Sequence, residues 1–377
     1  MKLIPGRLLR DLALETRVDH QVKKLSGEVI FKLILFSMLS SEKLSLRVME
    51  SFLCSARFIH LAGEQAVNSK YNSIRDRICT INSDYFEKLF ERIFLIYNQE
   101  LKEQKAISKA DSTYVALATK LLSTGIVNGS DDSKRFVKYS IQLKGSLPAS
   151  AKVFTDQGHV NEDVALAELI NQCDSLQGEV VVFDRGLQSR KSFDRFTTEG
   201  KFFITRAKSN TRCLVQESRK VGKRPKGSTL TIISERSGQL MTKQEKKSAF
   251  PYRVIKARIQ STGEDICFIT NLSGEDAYTI AGWYKDRWEI ELFFKFLKQH
   301  LNLKHLVSRT ENGIKVMLYM TLILALLILV YKKVNNIKGF KIAKLKFELE
   351  LENDIIKTIV KLCGGDPSKA AHLFRDD

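Results

Sequence analysis

The sequence lacks the cysteine pairing that would indicate a disulfide framework or a zinc site. Its cysteines are far apart, with no C-x-x-C pair and no Cys-His cluster; the six are Cys54, Cys79, Cys173, Cys213, Cys267 and Cys363. Such spacing is typical of a protein from a reducing compartment. Proline is also scarce, at 5 in 377 residues, beside 44% hydrophobic and 28% charged residues. This composition predicts a folded globular protein with little disorder.

Long apolar runs are nearly absent as well. The first residues, MKLIPGRLLRDLALE, are interrupted by Arg7, Arg10 and Asp11, so no apolar stretch reaches signal-peptide length and secretion is not expected. The one long uncharged run covers residues 316–331. It is shorter than the roughly 20 residues that cross a bilayer, and a buried helix has the same composition. We interpret it as a core helix, with a membrane span as the alternative.

Acidic residues are fewer than basic ones. The chain has 43 Asp and Glu against 61 Lys and Arg, a formal net charge of +18. A surplus of that size creates a positive potential that attracts polyanions. Nucleic acid is the leading partner class, although an anionic membrane surface would attract the same charge.

The spacing of apolar residues divides the chain into three parts. Residues 1–100 have helical periodicity, and we predict a helical N-terminal DNA-binding module. Residues 101–335 open with three β-prone runs, followed by helix, strand, helix and strand, which is the element order of a ribonuclease-H-like mixed sheet with flanking helices. The fold class expected is therefore α/β. Residues 336–377 form a C-terminal tail of mixed charge.

A basic segment interrupts this order between residues 209 and 263, where we predict a mostly β insertion. Residues 201–258 carry 16 Lys and Arg but only 3 Asp and Glu. A surface that is merely soluble would mix the signs more evenly, so we expect this segment to face DNA phosphates. The residues expected to contact DNA are Lys220, Lys223, Arg224 and Lys226.

Two aspartates stand where predicted strands give way to loops. Asp111 lies in Ala-Asp-Ser-Thr, and Asp184 follows the apolar run VVVF. If the two strands are neighbours, the carboxylates converge and repel each other, which favours a bound divalent cation such as Mg²⁺ or Mn²⁺. Either aspartate taken alone is more often a turn or helix-cap residue.

A long helix is predicted from about residue 275 to residue 300. Its residues Tyr284, Arg287, Glu291 and Lys298 are spaced 3, 4 and 7 apart. At about 100° per residue they fall within a band of roughly 60° on one helix face. An ordinary surface ion pair would explain Arg287 and Glu291 but not the other two residues.

These residues resemble the signature Y-x2-R-x3-E-x6-K of cut-and-paste bacterial insertion-sequence transposases, which are DDE recombinases. Tyr284, Arg287, Glu291 and Lys298 fill it at every spacing. Similar to the family's other blocks, in the same order, are Asp-Ser-Thr at 111–113, Phe-Asp-Arg-Gly at 183–186, Phe-Ile-Thr-Arg at 203–206 and Ile-Thr-Asn-Leu at 269–272. The resemblance covers roughly residues 30–330.

The resemblance implies an enzyme that cuts and rejoins DNA at a metal site. Asp111, Asp184 and Glu291 would be the catalytic metal ligands, holding two Mg²⁺ ions that Mn²⁺ can replace. The implied phosphate-binding residues are Tyr284, Arg287 and Lys298, with Arg206 assisting. Some relatives stack a flipped base of a DNA hairpin on an aromatic residue of the insertion. In this sequence, Phe250 or Tyr252 would have to be that aromatic residue.

The family also implies partners and a location. The partners would be the terminal inverted repeats of its own element, target DNA and a second copy of the chain on DNA, with no membrane. The location would be the bacterial cytoplasm, at the nucleoid. The tail is a candidate pairing surface, although its apolar positions alternate more like a strand than a helix; they are Ile342, Leu345, Phe347, Leu349 and Leu351.

Three other functions remain open. A metal-dependent nuclease of the same fold would cut without joining. A DNA-binding derivative would have lost cleavage, although the intact carboxylate trio disfavours it. A peripheral membrane protein would use the basic surface and the apolar helix, but it leaves the pattern between residues 284 and 298 unexplained.

Overall fold

The computed structural model describes residues 4–63, 68–101, 107–117, 125–127, 134–172, 178–208, 211–242, 244–301, 303, 307–308, 310–362 and 364–368. It divides into two compact units. The first comprises Met1–Leu101, Leu117–Thr124 and Lys295–Asp377, and the second comprises Lys102–Ala116 and Gly125–Phe294. The end of the predicted tail, residues 369–377, lies outside the described residues.

The described helices, numbered along the chain, are α1 (Gly6–Glu15), α2 (Gly27–Ser40), α3 (Leu46–Leu53), α4 (Ala56–Ala62), α5 (Tyr71–Thr80), α6 (Asp84–Glu100), α7 (Glu162–Gln172), α8 (Arg190–Thr198), α9 (Ala277–Asp286), α10 (Trp288–His300), α11 (Glu311–Val334) and α12 (Phe340–Leu362). The strands are β1 (Ile107–Ala116), β2 (Phe136–Lys144), β3 (Leu147–Phe154), β4 (Val180–Phe183), β5 (Phe202–Arg206), β6 (Arg212–Arg219), β7 (Leu230–Met241), β8 (Lys247–Ile259) and β9 (Asp265–Thr270).

The first unit is helical and is built around α11. In the most apolar 18-residue window of this helix, 94% of the residues are buried inside the protein. That burial favours the predicted core helix over a membrane span. Tyr319 of α11 donates a hydrogen bond to Glu87 of α6 over 2.6 Å, which ties the core helix to the N-terminal helices. The helical periodicity predicted for residues 1–100 is thus matched by α1 to α6.

The tail folds differently from its sequence pattern. The strand-like alternation was misleading, because residues 340–362 form the helix α12. Ala343 and Phe347, one helical turn apart, are buried, whereas Leu345 and Leu349 remain about half exposed. The tail is rich in Leu, Lys and Glu, which are strong helix formers, and packing of one face on the helical core decides its structure.

The second unit is built on one nine-stranded sheet. Its strand order is β3-β2-β1-β4-β5-β9-β8-β7-β6. β1, β4 and β5 are parallel, and the remaining neighbours are antiparallel. All four residues of β4 are buried, as expected for a central parallel strand covered on both faces. The sheet is therefore the ribonuclease-H-like mixed sheet that the element order predicted.

The predicted insertion extends this sheet rather than forming a separate one. β6, β7 and β8 are joined by antiparallel pairing, and β8 continues onto β9. β6 is the edge strand, and most of its residues are exposed.

Helices cover both faces of the sheet. On one face, α7 and α8 pack on Ala110, Val181 and Phe183. On the other, α9 packs on Val180, Val182 and Ile204. The single helix predicted between residues 275 and 300 is two helices, because a turn at Arg287 separates α9 from α10.

Candidate active site

Strand register brings Asp111 and Asp184 together. In the parallel pair β1–β4, Ala110 is the partner of Phe183, and each of these residues is followed by an aspartate. Asp184 lies just after β4, as predicted, whereas Asp111 lies within β1, which continues to Ala116 and does not end at the aspartate as predicted. Side chains alternate between the faces of a strand, so both aspartates lie on the face that carries Val180, Val182 and α9. The backbone NH of Ser112 donates to Asp111 over 2.8 Å, and that of Gly186 donates to Asp184 over 2.7 Å.

The two carboxylates affect each other's charge. Burial, followed by the negative charge of Asp184, raises the pKa of Asp111 to about 7. Arg287 and the NH of Ser112 act in the opposite direction. An aspartate that resists ionisation beside a second carboxylate is a place where a cation is stabilising. Oxygen ligands of this kind suit a divalent ion such as Mg²⁺.

Glu291 approaches Asp111 through an arginine. Arg287 contacts Glu291 over 2.5 Å with one guanidinium nitrogen and Asp111 over 3.4 Å with another. The i,i+4 ion pair between Arg287 and Glu291 is therefore present, and Arg287 also contacts Asp111 on β1. Among the described residues, no three Asp, Glu, His or Cys side chains are grouped closely enough to hold a metal. The structure thus brings two of the three predicted ligands together and holds the third beside Arg287.

The other residues of the predicted signature differ in their placement. Tyr284 packs on Phe268, and the Arg287 guanidinium lies 5.7 Å from the centre of the Tyr284 ring. Burial raises the pKa of Tyr284, and Arg287 and then Asp184 are among the charges that affect it. Arg206 forms an ion pair with Glu264 over 2.7 Å and remains partly exposed. Lys298 belongs to the helical unit, and its role stays a prediction.

Two acidic residues at the start of α7 hold the segments that carry the aspartates, a role that sequence patterns missed. Glu162 accepts a hydrogen bond from Ser112 over 2.9 Å and forms an ion pair with the buried Lys138, also over 2.9 Å. Asp163 accepts from the backbone NH groups of Gln188 and Ser189, in the loop after Asp184, over 2.5 and 2.7 Å. In the sequence, these residues were recognisable only as favourable charges at a helix start.

Gly186 is required by this packing. A Cβ atom built on it would lie 2.8 Å from Asp184 Oδ1 and 2.8 Å from Glu162 Cγ. Both distances are too short for real atoms, so a side chain would push the aspartate loop away from α7. The close packing therefore explains why the last residue of Phe-Asp-Arg-Gly is a glycine.

The predicted DNA-contacting residues lie in the loop between β6 and β7. Lys220, Lys223, Arg224 and Lys226 are all exposed. A Cβ atom on Gly222 would lie 3.2 Å from Asp276, the N-cap of α9, so this loop passes the start of that helix. Tyr284 is eight residues further along α9, or about 12 Å by helix rise. The basic loop and the aspartate pair thus share one face of the sheet.

The predicted hairpin contact finds no support at Tyr252. Its side chain is fully buried, and its hydroxyl donates to Asp194 over 2.8 Å. It therefore cannot stack on a flipped base. Phe250 is only partly buried but packs against the same core.

Comparisons with known proteins identify the family of the domain. Residues 129–328 match the family model of the transposase DDE domain. This range includes Asp184, Glu291 and the signature helices, whereas Asp111 precedes it.

Three curated relatives are similar over part of their length. A putative transposase, y4zB, of Sinorhizobium fredii is 29% identical over 160 residues, 42% of this chain and 44% of the relative. A probable transposase for insertion sequence element IS5377 of Geobacillus stearothermophilus is 28% identical over 249 residues, which are 65% of this chain and 62% of the relative. A putative transposase for insertion sequence element IS4SA of Synechocystis is 28% identical over 253 residues, which are 64% of this chain and 66% of the relative.

The chain thus spans between 44% and 66% of the length of these relatives. The family assignment rests on the domain model, which takes in more than half of the 377 residues. The protein belongs to the transposase DDE domain family.

Proposed function

We propose that the protein is a DNA transposase that cuts and joins the ends of an insertion sequence at Asp111, Asp184 and Glu291. The observation that carries the proposal is the β1–β4 register, which sets the two aspartates side by side, with Glu291 facing them across Arg287. Membership in the transposase DDE domain family and the names of the relatives support it.

The proposed metal site takes two Mg²⁺ ions, with Mn²⁺ as a substitute. Asp111 and Asp184 would supply adjacent carboxylate oxygens, and Glu291, which pairs with Arg287 in this structure, would be the third ligand. When bound, such ions would activate a water or a DNA 3′-hydroxyl as the nucleophile at neutral pH and stabilise the leaving oxygen. The protein's own part is to hold the carboxylates at fixed positions through Ser112, Gly186 and the start of α7.

Arg287 would then have a second role. A guanidinium released by Glu291 is planar and suited to a bidentate contact with a phosphate. Tyr284 lies under it, and Arg206 is the strand partner of Phe268, on which Tyr284 packs, so the three would form one surface for the phosphates of the transposon end. The basic loop with Lys220, Lys223, Arg224 and Lys226 would extend this surface, and Lys298 is proposed as a further phosphate contact.

The proposed partners are the terminal inverted repeats, target DNA and a second copy of the chain. Cut-and-paste movement must hold two ends in one complex, which favours a homodimer on DNA. The half-exposed Leu345 and Leu349 of α12 are candidates for its interface. We place the protein in the bacterial cytoplasm at the nucleoid, with residues 1–100 as a DNA-binding module.

A strand-transfer assay tests the proposal against the nuclease alternative. Oligonucleotides that carry the ends of the protein's own element are incubated with the protein, Mg²⁺ and a supercoiled target plasmid. A transposase yields joined products that depend on the end sequence. A nuclease yields cleavage without joined products, and a DNA-binding derivative yields neither.

A further inference from the structure

A buried lysine on β1 contacts the helix that carries Glu291. Lys109 is only 2% exposed, and its ammonium group donates to the Gly145 carbonyl over 3.0 Å and to Glu289 over 2.5 Å. Gly145 has a positive φ of 59° in the tight turn between β2 and β3, which aims its carbonyl at the lysine. An unpaired lysine in this position would be strongly destabilising. The contact with Glu289 is therefore an integral part of the fold.

Both residues of this pair lie two positions before a proposed metal ligand. Lys109 precedes Asp111 on the same face of β1, because side chains on a strand repeat every second residue. Glu289 precedes Glu291 in the first turn of α10. One ion pair thus connects the strand of the first ligand to the helix of the third.

A second polar link in the described part of the chain is Arg287, just before α10, which contacts Asp111 and Glu291 themselves. It competes for the oxygens that the proposed metal site needs, so it cannot fix the helix in the metal-bound state. Lys109 and Glu289 use none of those oxygens. They can hold the start of α10 on β1 whether Arg287 is engaged or released.

We propose that Lys109 and Glu289 are positioning residues that set the distance between Asp111 and Glu291. The inference rests on the proposed function and extends it, since neither residue belongs to the transposase signature. Both act through the ligands next to them and not on DNA. Groups that orient metal ligands commonly change metal affinity by about 10-fold to 100-fold when they are removed.

The test compares Glu289→Gln with a matched control, Glu179→Gln. Glu179 also forms an ion pair with a buried lysine of the same sheet, Lys144, over 3.0 Å. It lies immediately before β4, whereas Asp184 lies immediately after it, a separation of roughly 16 Å along the strand. Both substitutions remove one carboxylate charge and leave a buried lysine; because Glu179 is 3% exposed and Glu289 is 49% exposed, the control should cost at least as much stability as Glu289→Gln.

Two measurements are made on the full-length protein: Mn²⁺ binding by calorimetry without DNA, and the Mn²⁺ concentration that gives half-maximal end cleavage. We expect Glu289→Gln to raise the dissociation constant and the half-maximal concentration by about 10-fold or more. Glu179→Gln should change them less than twofold. Glu289→Asp, which keeps the charge on a shorter side chain, should recover part of the affinity.

Equal metal responses of the two glutamine variants would overturn the inference and leave the ion pair a structural one. If Glu289→Gln does not fold, as judged by circular dichroism, Lys109→Met, which removes the other partner of the pair, decides: an unchanged Mn²⁺ affinity in that variant also overturns it. Failure of the proposed function has a different signature. In that case Asp111→Asn would bind Mn²⁺ as well as the wild type does.

Discussion

Removal of the Asp111 charge should stabilise the metal-free protein. In Asp111→Asn, a neutral amide of the same shape replaces a carboxyl group whose pKa is raised to about 7, first by burial and then by Asp184. An unfolded aspartate ionises near pH 4. Between about pH 4 and pH 7, the unfolded wild type therefore loses a proton that the folded state retains, and the contribution of Asp111 to the free energy of unfolding falls as the pH rises.

The size of the effect follows from the shift. About three pKa units at roughly 1.4 kcal/mol each give about 4 kcal/mol. The side chain is 19% exposed, so solvent screening is limited. We expect the gain of Asp111→Asn to be near zero at pH 4, to grow up to about pH 7, and to remain at about 3 to 4 kcal/mol above it.

Urea denaturation in EDTA buffers between pH 4 and pH 8 measures this gain. Asp265→Asn is a control of opposite sign, because hydrogen bonds first from Arg258 and then from Lys256 lower the pKa of Asp265 to about 2. That variant should never exceed the wild type in stability above pH 4. Mg²⁺ at ten times its dissociation constant should stabilise only the wild type, by about 1.4 kcal/mol. A gain for Asp111→Asn that does not depend on pH would refute the reasoning.

Three further predictions concern other parts of the molecule. Neutralising the four basic residues of the loop after β6 should weaken DNA binding and lower the salt slope by about one unit per lost phosphate contact, which fluorescence anisotropy at several salt concentrations measures. Lys138→Met should lower the free energy of unfolding by about 3 kcal/mol in urea titrations, because Glu162 loses its buried partner; an intact stability would show that Glu162 is solvated instead. Leu345→Glu with Leu349→Glu should spare binding to one end but prevent a two-end complex in gel-shift assays, whereas normal pairing would place the dimer interface elsewhere.

The sheet could be predicted because its signals are local. The run VVVF, bounded by polar residues, specifies a short buried strand. Three strands followed by α7, β4, α8 and β5 is the order that the sequence predicts. Asp184 follows β4 directly, as predicted. Asp111 does not end its strand, because β1 continues to Ala116 by pairing with β2, a contact between distant residues that the local pattern does not contain.

Other features depend on contacts between distant residues. The pairing of Lys109 with Glu289 joins positions 180 residues apart, and nothing in either local pattern indicates it. The residues from Tyr284 to Lys298 are predicted to share one face on the basis of a single continuous helix, whereas a turn at Arg287 interrupts the helix. The tail shows the same limit, because tertiary packing on α11 overrides its strand-like alternation.

Arg287 illustrates how a residue can fit two roles. Its i,i+4 spacing from Glu291 predicts an ion pair, and its place in the family signature implies a phosphate contact. The structure has the ion pair and extends it to Asp111, a residue 176 positions away. The choice between the roles depends on which partners are bound, and a sequence does not contain that information.

The most direct test is end-specific cleavage by the wild type, Asp111→Ala, Asp184→Ala and Glu291→Ala. Each protein is incubated with Mg²⁺ and DNA that carries the ends of its own element, and end binding is measured in parallel. Carboxylates hold the metal while cations supply most of the DNA affinity, so each substitution should abolish cleavage and leave binding largely intact. Full cleavage by any one of the three variants would contradict the assignment of that residue to the metal site.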